Sequence, residues 1–310
     1  MEKKLLVAID GSIDSQHAVE YVAGICKAYK NINFTLYHAQ PAISQYIIDE
    51  AEKSPKAKAE LNKLLKKNSQ AAAKVLESQM QKLVRLGVPE TAIETATKPR
   101  TLGVAKDILE YSVAGSYDAI VLGRRGVSGL QAMVTGSVSA NIVDNAEVVP
   151  VWIVDEKAAS NHIMVAVDGS ESSLRAVDHL SFIVGGTPDV KISFFHVTPR
   201  LKDVCAVDFD DAEAETFEDI VRRGDKACID RFFSHALKML KEAGVEKSQI
   251  EVETVEGVFR VGKVILEAYR KGKFGALVIG RRGMGKKFFT GSVSRQIIDQ
   301  FSNGALWVVP

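Results

Sequence analysis

The chain has 310 residues, of which 46% are hydrophobic, and it carries 40 basic against 39 acidic side chains. This length and hydrophobic content suffice for two globular cores of ordinary size. A net charge of +1 provides no overall field that would attract nucleic acid or an anionic membrane, which argues against both as partners.

The cysteines and the apolar runs indicate the compartment. Cys26, Cys205 and Cys228 form no CxxC pair, so we expect reduced structural thiols. Charged residues follow Met1 and an apolar strand-like run begins at residue 5, which leaves no room for a signal region. No later apolar run approaches the ~18 residues of a membrane span. We therefore expect a soluble cytoplasmic protein.

Strand-like and helix-like segments alternate along both halves of the chain. The apolar runs are short and continuous, which is typical of parallel strands covered by helices on both faces. In the first half, strands are predicted at 5–9, 32–38, 92–97, 119–122 and 148–154, with helices after the first strand and at 71–86, 102–112 and 137–145. In the second half, strands are predicted at 163–167, 192–196, 250–254, 276–279 and 306–309, with a long helix at 228–243.

Three sequence blocks occur twice in the same order, about half a chain apart, which identifies an internal duplication. The polar segment 155–161 is the predicted linker, so we expect domains at 1–155 and 161–310. Segments 41–67 and 199–223 correspond in place but hardly in sequence, and they could cover the open end of each sheet. The repeated blocks are residues 7–12 and 165–170, 121–126 and 278–283, and 135–139 and 290–294.

The first repeat contains the elements of a nucleotide site. Asp10 and Gly123 each end a predicted strand, and parallel sheets bind ligands at such ends where neighbouring connections diverge. A carboxylate there can accept hydrogen bonds from a ribose. Glycines at 123 and 126 allow close backbone approach, while Gly136 and Ser137 offer free amides and a hydroxyl to a phosphate at a helix start.

These residues resemble the universal stress protein family in its tandem form. The ATP-binding signature of that family is Gly, two residues, Gly, nine residues, then Gly followed by Ser or Thr, and Gly123, Gly126, Gly136 and Ser137 match it fully. In the second repeat only seven residues separate the last two glycines, so that loop is two residues short. The second set is Gly280, Gly283, Gly291 and Ser292.

The resemblance implies an α/β fold of two tandem Rossmann-like domains, each a five-stranded parallel sheet of order 3-2-1-4-5 with helices on both faces. It also implies ATP with Mg²⁺, held by the first-strand aspartate, the residue ending strand two and the glycine loop. Single-domain relatives pair through their last strands, which implies an intramolecular pseudo-dimer here and leaves a further homodimer open. The carried-over positions are Asp10, Ala39 and Val138 with the first loop, and Asp168, Val197 and Val293 with the second.

Other motifs have a structural interpretation that we prefer to a chemical one. Residues 280–287 nearly spell a P-loop, but Lys287 stands where Ser or Thr should hold magnesium. Nothing at ligand spacing accompanies His38 or His196, so buried structural histidines are expected rather than metal ligands. The acidic run 208–215 lacks the glycine of a calcium loop and is expected to be solvated. Surface charge is likewise expected for Lys286, Arg124, Arg125, Arg281 and Arg282.

The function that the family resemblance implies, together with the site residues above, is a cytoplasmic stress-response protein that binds ATP and acts as a nucleotide-dependent regulator. No residue is apparent that would position water or stabilise a departing phosphate, so we expect binding rather than catalysis, with slow ATPase activity left open. Two alternatives stay open. One is a scaffold that binds no nucleotide and contacts partners through segments 41–67 and 199–223, and the other is an adenylyl-transferring enzyme.

Overall fold

The computed structural model describes residues 2–124, 136–156, 160–198, 200, 211–256, 260–282 and 291–310, and of residues 211–214 the backbone only. The chain divides into two compact units, of which the second begins at Ala158 in the chain. We call them domain 1 and domain 2 and describe each by itself.

Strands and helices alternate through the described part of domain 1. A 3-10 turn at Glu90–Ala92 precedes the third strand. The strands are β1 (Lys3–Ala8), β2 (Ile32–Gln40), β3 (Ile93–Pro99), β4 (Ala119–Gly123) and β5 (Val151–Val154). The helices are α1 (Ile13–Ala28), α2 (Gln45–Lys53), α3 (Pro55–Arg85), α4 (Val104–Ala114) and α5 (Ser137–Asn145).

The described part of domain 2 repeats this plan. A 3-10 turn at Lys247–Gln249 again precedes the third strand of the domain. The strands are β6 (His162–Val167), β7 (Lys191–Thr198), β8 (Ile250–Glu256), β9 (Ala276–Gly280) and β10 (Ala305–Val309). The helices are α6 (Glu171–Val184), α7 (Asp211–Glu242), α8 (Val261–Lys271) and α9 (Ser292–Gln300).

Each domain contains a parallel sheet in the predicted order. Domain 1 has the order β3-β2-β1-β4-β5 and domain 2 has β8-β7-β6-β9-β10, with every pair inside a domain parallel. The first strand of each domain lies between its second and fourth strands, as in the pairing of Val7 with Leu36 on one side and with Val121 on the other. A crevice therefore opens at the carboxyl ends of β1 and β4, and likewise of β6 and β9.

Burial explains why the central strands are continuous apolar runs. Every residue of β4, β5 and β10 is buried, and the largest buried side chains include Trp152 and Trp307. The expectation of covered faces fails for β3 and β8, where most residues are exposed or half-buried. Each of these strands has a single neighbour within its domain, and its outward side chains are charged, as at Glu94 and Glu253.

Three elements begin well away from their predicted starts: helix α7 begins at Asp211 rather than residue 228, and the other two are α3 and β5. Helix α3 begins at Pro55 rather than residue 71, because Ser54 caps it by accepting the Ala57 amide and proline fits its first turn. Its first two turns are exposed and carry no apolar face toward the sheet, so periodicity could not reveal them. Strand β5 begins at Val151 rather than residue 148, since Pro150 has no amide to donate to a sheet.

No helix among the described residues is both long enough and apolar enough to span a membrane.

One buried histidine gives domain 2 a predictable acid sensitivity. His179 packs edge-on against Trp307 in the core, and burial lowers its pKa to about 3. The unfolded chain takes up this proton near pH 6.5 and the folded chain does not, so stability falls as pH drops from about 6.5 toward 3. We expect a loss of about 2 kcal/mol between pH 7 and pH 5, measured by urea unfolding.

His179→Leu is the matched variant, since it keeps an apolar side chain of similar size at this position. It should lose less stability than wild type over the same pH interval. Equal pH dependence of the two proteins would show that the acid sensitivity does not come from His179.

Candidate functional site

The crevice of domain 1 holds a cavity of about 390 Å³. That volume lies within the ~300–1,000 Å³ usual for small-molecule sites. Six predicted site residues of this domain line it, namely Asp10, Ala39, Gly123, Gly136, Ser137 and Val138. The remaining lining residues are Ala8, Ile9, Ser15, Tyr37, His38, Arg100, Val104, Ile108, Leu122, Ser139 and Ile142.

Asp10 lies in the turn that joins β1 to α1. Its Oδ1 accepts the Ser12 amide at 2.9 Å, which forms an Asx turn, and Gly11 adopts φ +80° in the left-handed region that favours glycine. Ser12 then caps α1, because its Oγ accepts the Ser15 amide at 3.1 Å. These local bonds fix an exposed carboxylate at the mouth of the crevice.

Gly123 allows a close approach between β4 and the first turn of α1. A Cβ at this position would lie 2.5 Å from the backbone of Asp14, and one at Gly280 would lie 2.9 Å from the backbone of Ser172. Glycine was expected here because it lets the backbone come close to a ligand, but the structure gives a different reason. Glycine provides room for a neighbouring helix, although Gly123 also lines the cavity.

The start of α5 provides amides for an anion, with one correction. The Gly136 amide is not free, because it donates to the Arg124 carbonyl at 2.8 Å and closes the loop. Helix α5 has no side-chain cap among the described residues, unlike α1. The amides of Ser137 and Val138 lie in its first turn, where they have no carbonyl to meet within the helix and where the helix dipole favours negative charge.

Two arginines predicted to be surface charge are buried instead. Arg124 is 4% exposed and its Nη1 lies 3.5 Å from the Asp155 carboxylate, while Arg281 is 3% exposed. The amides of both donate to the last strand of their domain, at Val154 and Val309. These arginines belong to the structural support of the loop rather than to a solvated surface. Arg282 is half-buried and lines the crevice of domain 2.

Arg100 and the loop after β3 were not identified from sequence. The Asp107 carboxylate accepts the amides of Thr101 and Leu102 and the Thr101 hydroxyl, at 2.8–3.0 Å. Burial favours the neutral carboxyl, but these hydrogen bonds outweigh it and lower the pKa of Asp107. The Arg100 amide donates to the Gln40 carbonyl, so the backbone of this residue is fixed at the cavity wall.

An apolar wall completes the cavity opposite Asp10. It comprises Val104 and Ile108 on α4, Ile142 on α5, and Tyr37, whose pKa is raised by burial and by nearby Asp107. Sequence reasoning missed this wall, although a signal existed. Val104 and Ile108 recur one helical turn apart in the second repeat as Val261 and Ile265, which also line a crevice.

The two predicted structural histidines end equivalent strands. The Nδ1 atom of His38 donates to the Ile9 carbonyl at 2.7 Å, and that of His196 donates to the Val167 carbonyl at 2.9 Å. Both rings therefore hold the end of the first strand against the second. Among the described residues, no group of three or more His, Cys, Asp or Glu could hold a metal ion.

The crevice of domain 2 is smaller, at about 180 Å³. Asp168, Val197, Gly280, Gly291, Ser292 and Val293 line it, which brings together the predicted residues that the structure describes. The supporting bonds are repeated: the Ser294 hydroxyl donates to the Gly280 carbonyl at 2.8 Å, and the Gly291 amide donates to the Arg281 carbonyl at 3.0 Å.

Some predicted residues lie outside the described part of the chain. These are Gly126 and Gly283 of the two glycine loops, Arg125, Lys286, Lys287 and Cys205. The near P-loop match and most of the acidic run 208–215 lie there as well.

Two doubly wound domains, each with a crevice at the ends of its first and fourth strands, define a tandem α/β protein. The sequence model of the Universal stress protein family matches this chain twice, over residues 1–155 and 160–310. The chain therefore belongs to the universal stress protein family and contains its domain in two copies.

Individual relatives agree with this assignment. The chain is 28% identical over 166 residues to universal stress protein YxiE of Bacillus subtilis, covering 50% of this chain and 99% of the relative. It is 26% identical over 152 residues to universal stress protein MJ0531 of Methanocaldococcus jannaschii, covering 49% and 81%. The crystal structure of a universal stress protein from Archaeoglobus fulgidus has the same fold along 99% of this chain and 97% of its own, with a TM-score of 0.65 and 21% identity.

Asp107→Ala should remove the bonds that fix the loop carrying Arg100. We expect domain 1 to lose about 1.5–3 kcal/mol of stability, the usual worth of hydrogen bonds to a charged group, in urea unfolding at pH 7. Glu110→Ala on the same helix is the control, because that side chain is exposed, and it should change little. Equal stability of the two variants would contradict the role given to Asp107.

Proposed function

We propose that domain 1 binds ATP in the crevice between β1 and β4. The observation that carries the proposal is the meeting, around one cavity, of the Asp10 carboxylate, an apolar wall and the uncapped start of α5. These are the three environments that ribose, adenine and phosphates require. The membership of the family, argued above from both repeats, is consistent with this ligand class.

The order of strands suggests how the nucleotide would lie. Asp10 follows β1 and would accept hydrogen bonds from the ribose hydroxyls. Val104 and Ile108 would cover the base, with the backbone of Ala39 at its edge. The phosphates would then lie toward Ser137 and Val138, where free amides and the helix dipole favour an anion.

Arg100 would be the cation of this site. It follows β3, next to the end of β2, and therefore lies on the side of the cavity that we assign to the base rather than at α5. A guanidinium plane can stack on adenine while its amide remains bonded to Gln40. The equivalent position in the second repeat is a glycine, so domain 2 has no counterpart.

Mg²⁺ would enter with the phosphates. Magnesium is commonly held by substrate phosphates, waters and one or two carboxylates rather than by a dedicated protein cage. Among the described residues that line the cavity the one carboxylate is Asp10, which we assign to the ribose, so phosphate oxygens and waters would supply the ligands of the ion.

The proposed role is that of a cytoplasmic, nucleotide-dependent regulator in the stress response. Among the described residues that line the cavity, none combines a base with an orienting partner at the phosphate end, and we propose binding without appreciable hydrolysis. The scaffold alternative would require an empty crevice in domain 1. The fixed Asx turn, capped helix and ordered loop around that crevice favour a ligand instead.

Asp10→Ala should weaken ATP binding by about 1.5–3 kcal/mol through loss of a charged acceptor at the ribose. Isothermal titration calorimetry with Mg²⁺ present measures this change directly. Asp168→Ala is the matched control in the other repeat and should leave the tight site unchanged. Unaltered affinity of the Asp10 variant would remove this residue from the site, and absence of ATP binding by wild type would defeat the proposed function.

A further inference from the structure

The two crevices differ most in the contacts that the long helices α3 and α7 make beside them. We propose that α7 holds the crevice of domain 2 closed through a bond between Asp225 and His196, so that the resting chain takes up one nucleotide, in domain 1. The identity of the ligand rests on the function proposed above. The closure itself rests on contacts within domain 2.

The equivalent histidines have different surroundings. His38 is half-buried and lines the cavity of domain 1. His196 is 2% exposed and does not line the cavity of domain 2, because its Nε2 lies 2.9 Å from Oδ2 of Asp225 on α7. Asn68 stands at the matching position of α3, so the first repeat has no carboxylate there. Removing one partner of a buried hydrogen bond is costly, because the other partner is left buried without it.

A second contact lies one helical turn further along α7. The Cys228 Sγ faces the turn between β6 and α6, 3.9 Å from the Gly169 carbonyl oxygen. A Cβ on Gly169 would lie 2.8 Å from that sulfur, whereas a Cβ on Gly11 in domain 1 would meet nothing within 4 Å. Helix α7 therefore lies directly on the turn that carries Asp168, while α3 leaves the corresponding turn open.

The carboxylate of domain 2 is also engaged within the protein. Asp168 Oδ1 accepts the Ser170 amide at 3.0 Å and the Ser173 hydroxyl at 2.7 Å. In domain 1 the equivalent hydroxyl, that of Ser15, donates to the Ser12 carbonyl instead. Asp168 is half-buried where Asp10 is exposed. A ribose entering domain 2 would therefore have to displace the Ser173 hydroxyl from this carboxylate.

These contacts account for the difference in volume between the two cavities. The strand residues 195 and 196 no longer border the crevice of domain 2, although their counterparts Tyr37 and His38 do so in domain 1. The space falls from about 390 to about 180 Å³, below the range usual for small-molecule sites. Removal of the Asp225 bond should release α7 and expose Cys228 together with the crevice.

Thiol labelling tests the closure without any nucleotide. In a background of Cys26→Ser and Cys205→Ser, the labelling rate of Cys228 by an aromatic disulfide reagent reports contact between α7 and the turn. Asp225→Ala should raise this rate at least tenfold, and Asp225→Asn, which gives α7 the residue that α3 has at the matching position, should raise it as well. Asp230→Ala removes an exposed charge close to the thiol and controls for electrostatic effects on labelling.

Circular dichroism verifies that each variant is folded, and Asp225→Ser takes the place of Asp225→Ala if that variant does not fold. Equal labelling of wild type and the Asp225→Ala variant would overturn the closure. Calorimetry with ATP then measures the number of binding sites per chain. We expect one site in wild type and a second, weaker site in the Asp225→Ala variant.

The stoichiometry also separates the two proposals. Two equal sites in wild type would overturn the closure and leave ATP binding intact. Faster labelling of the Asp225→Ala variant with no ATP bound by any protein would support the closure of domain 2 and defeat the proposed function.

Discussion

The close approach of the fourth strand to the first turn of the first helix fixes both crevices. At Gly123 and Gly280 the absence of a Cβ lets the strand end lie against the helix backbone. The carbonyl of each glycine is then satisfied by a serine hydroxyl from the next helix, Ser139 or Ser294. Three elements are thereby joined at the carboxyl edge of the sheet, and the crevice is the space that remains between them. Any larger residue at either glycine would separate these elements.

The family resemblance implied the sheet order that the structure has, and the repeated motifs named most of the described residues that line the two crevices at the strand ends and helix starts. The apolar runs predicted the central strands, because parallel strands are buried on both faces. The repeated motifs predicted that Asp10 and Gly136 lie at the carboxyl edge of the sheet. Side-chain partnerships were not predictable. The burial of Arg124 depends on Asp155, and the bonding of the Gly136 amide depends on the Arg124 carbonyl, so both require the folded loop. From sequence alone, charged residues in a glycine-rich loop are expected to be solvated.

Differences between the repeats carry more functional information than their similarities. Domain 1 has Asp107 to order the loop of Arg100, whereas domain 2 has a valine at that position and a glycine loop shorter by two residues. Domain 2 instead uses Asp225 to bind its second-strand histidine. These differences are the basis of our proposal that the crevice of domain 1 is open to a ligand and that the crevice of domain 2 is held closed by α7.

The stoichiometry of ATP binding to the intact chain, measured by titration calorimetry with Mg²⁺, tests this account most directly. One tight site per chain, weakened by Asp10→Ala and unaffected by Asp168→Ala, is the predicted result. Two equivalent sites would contradict the difference between the domains. The absence of any site would contradict nucleotide binding itself and favour a scaffold in which the crevice of domain 1 stays empty.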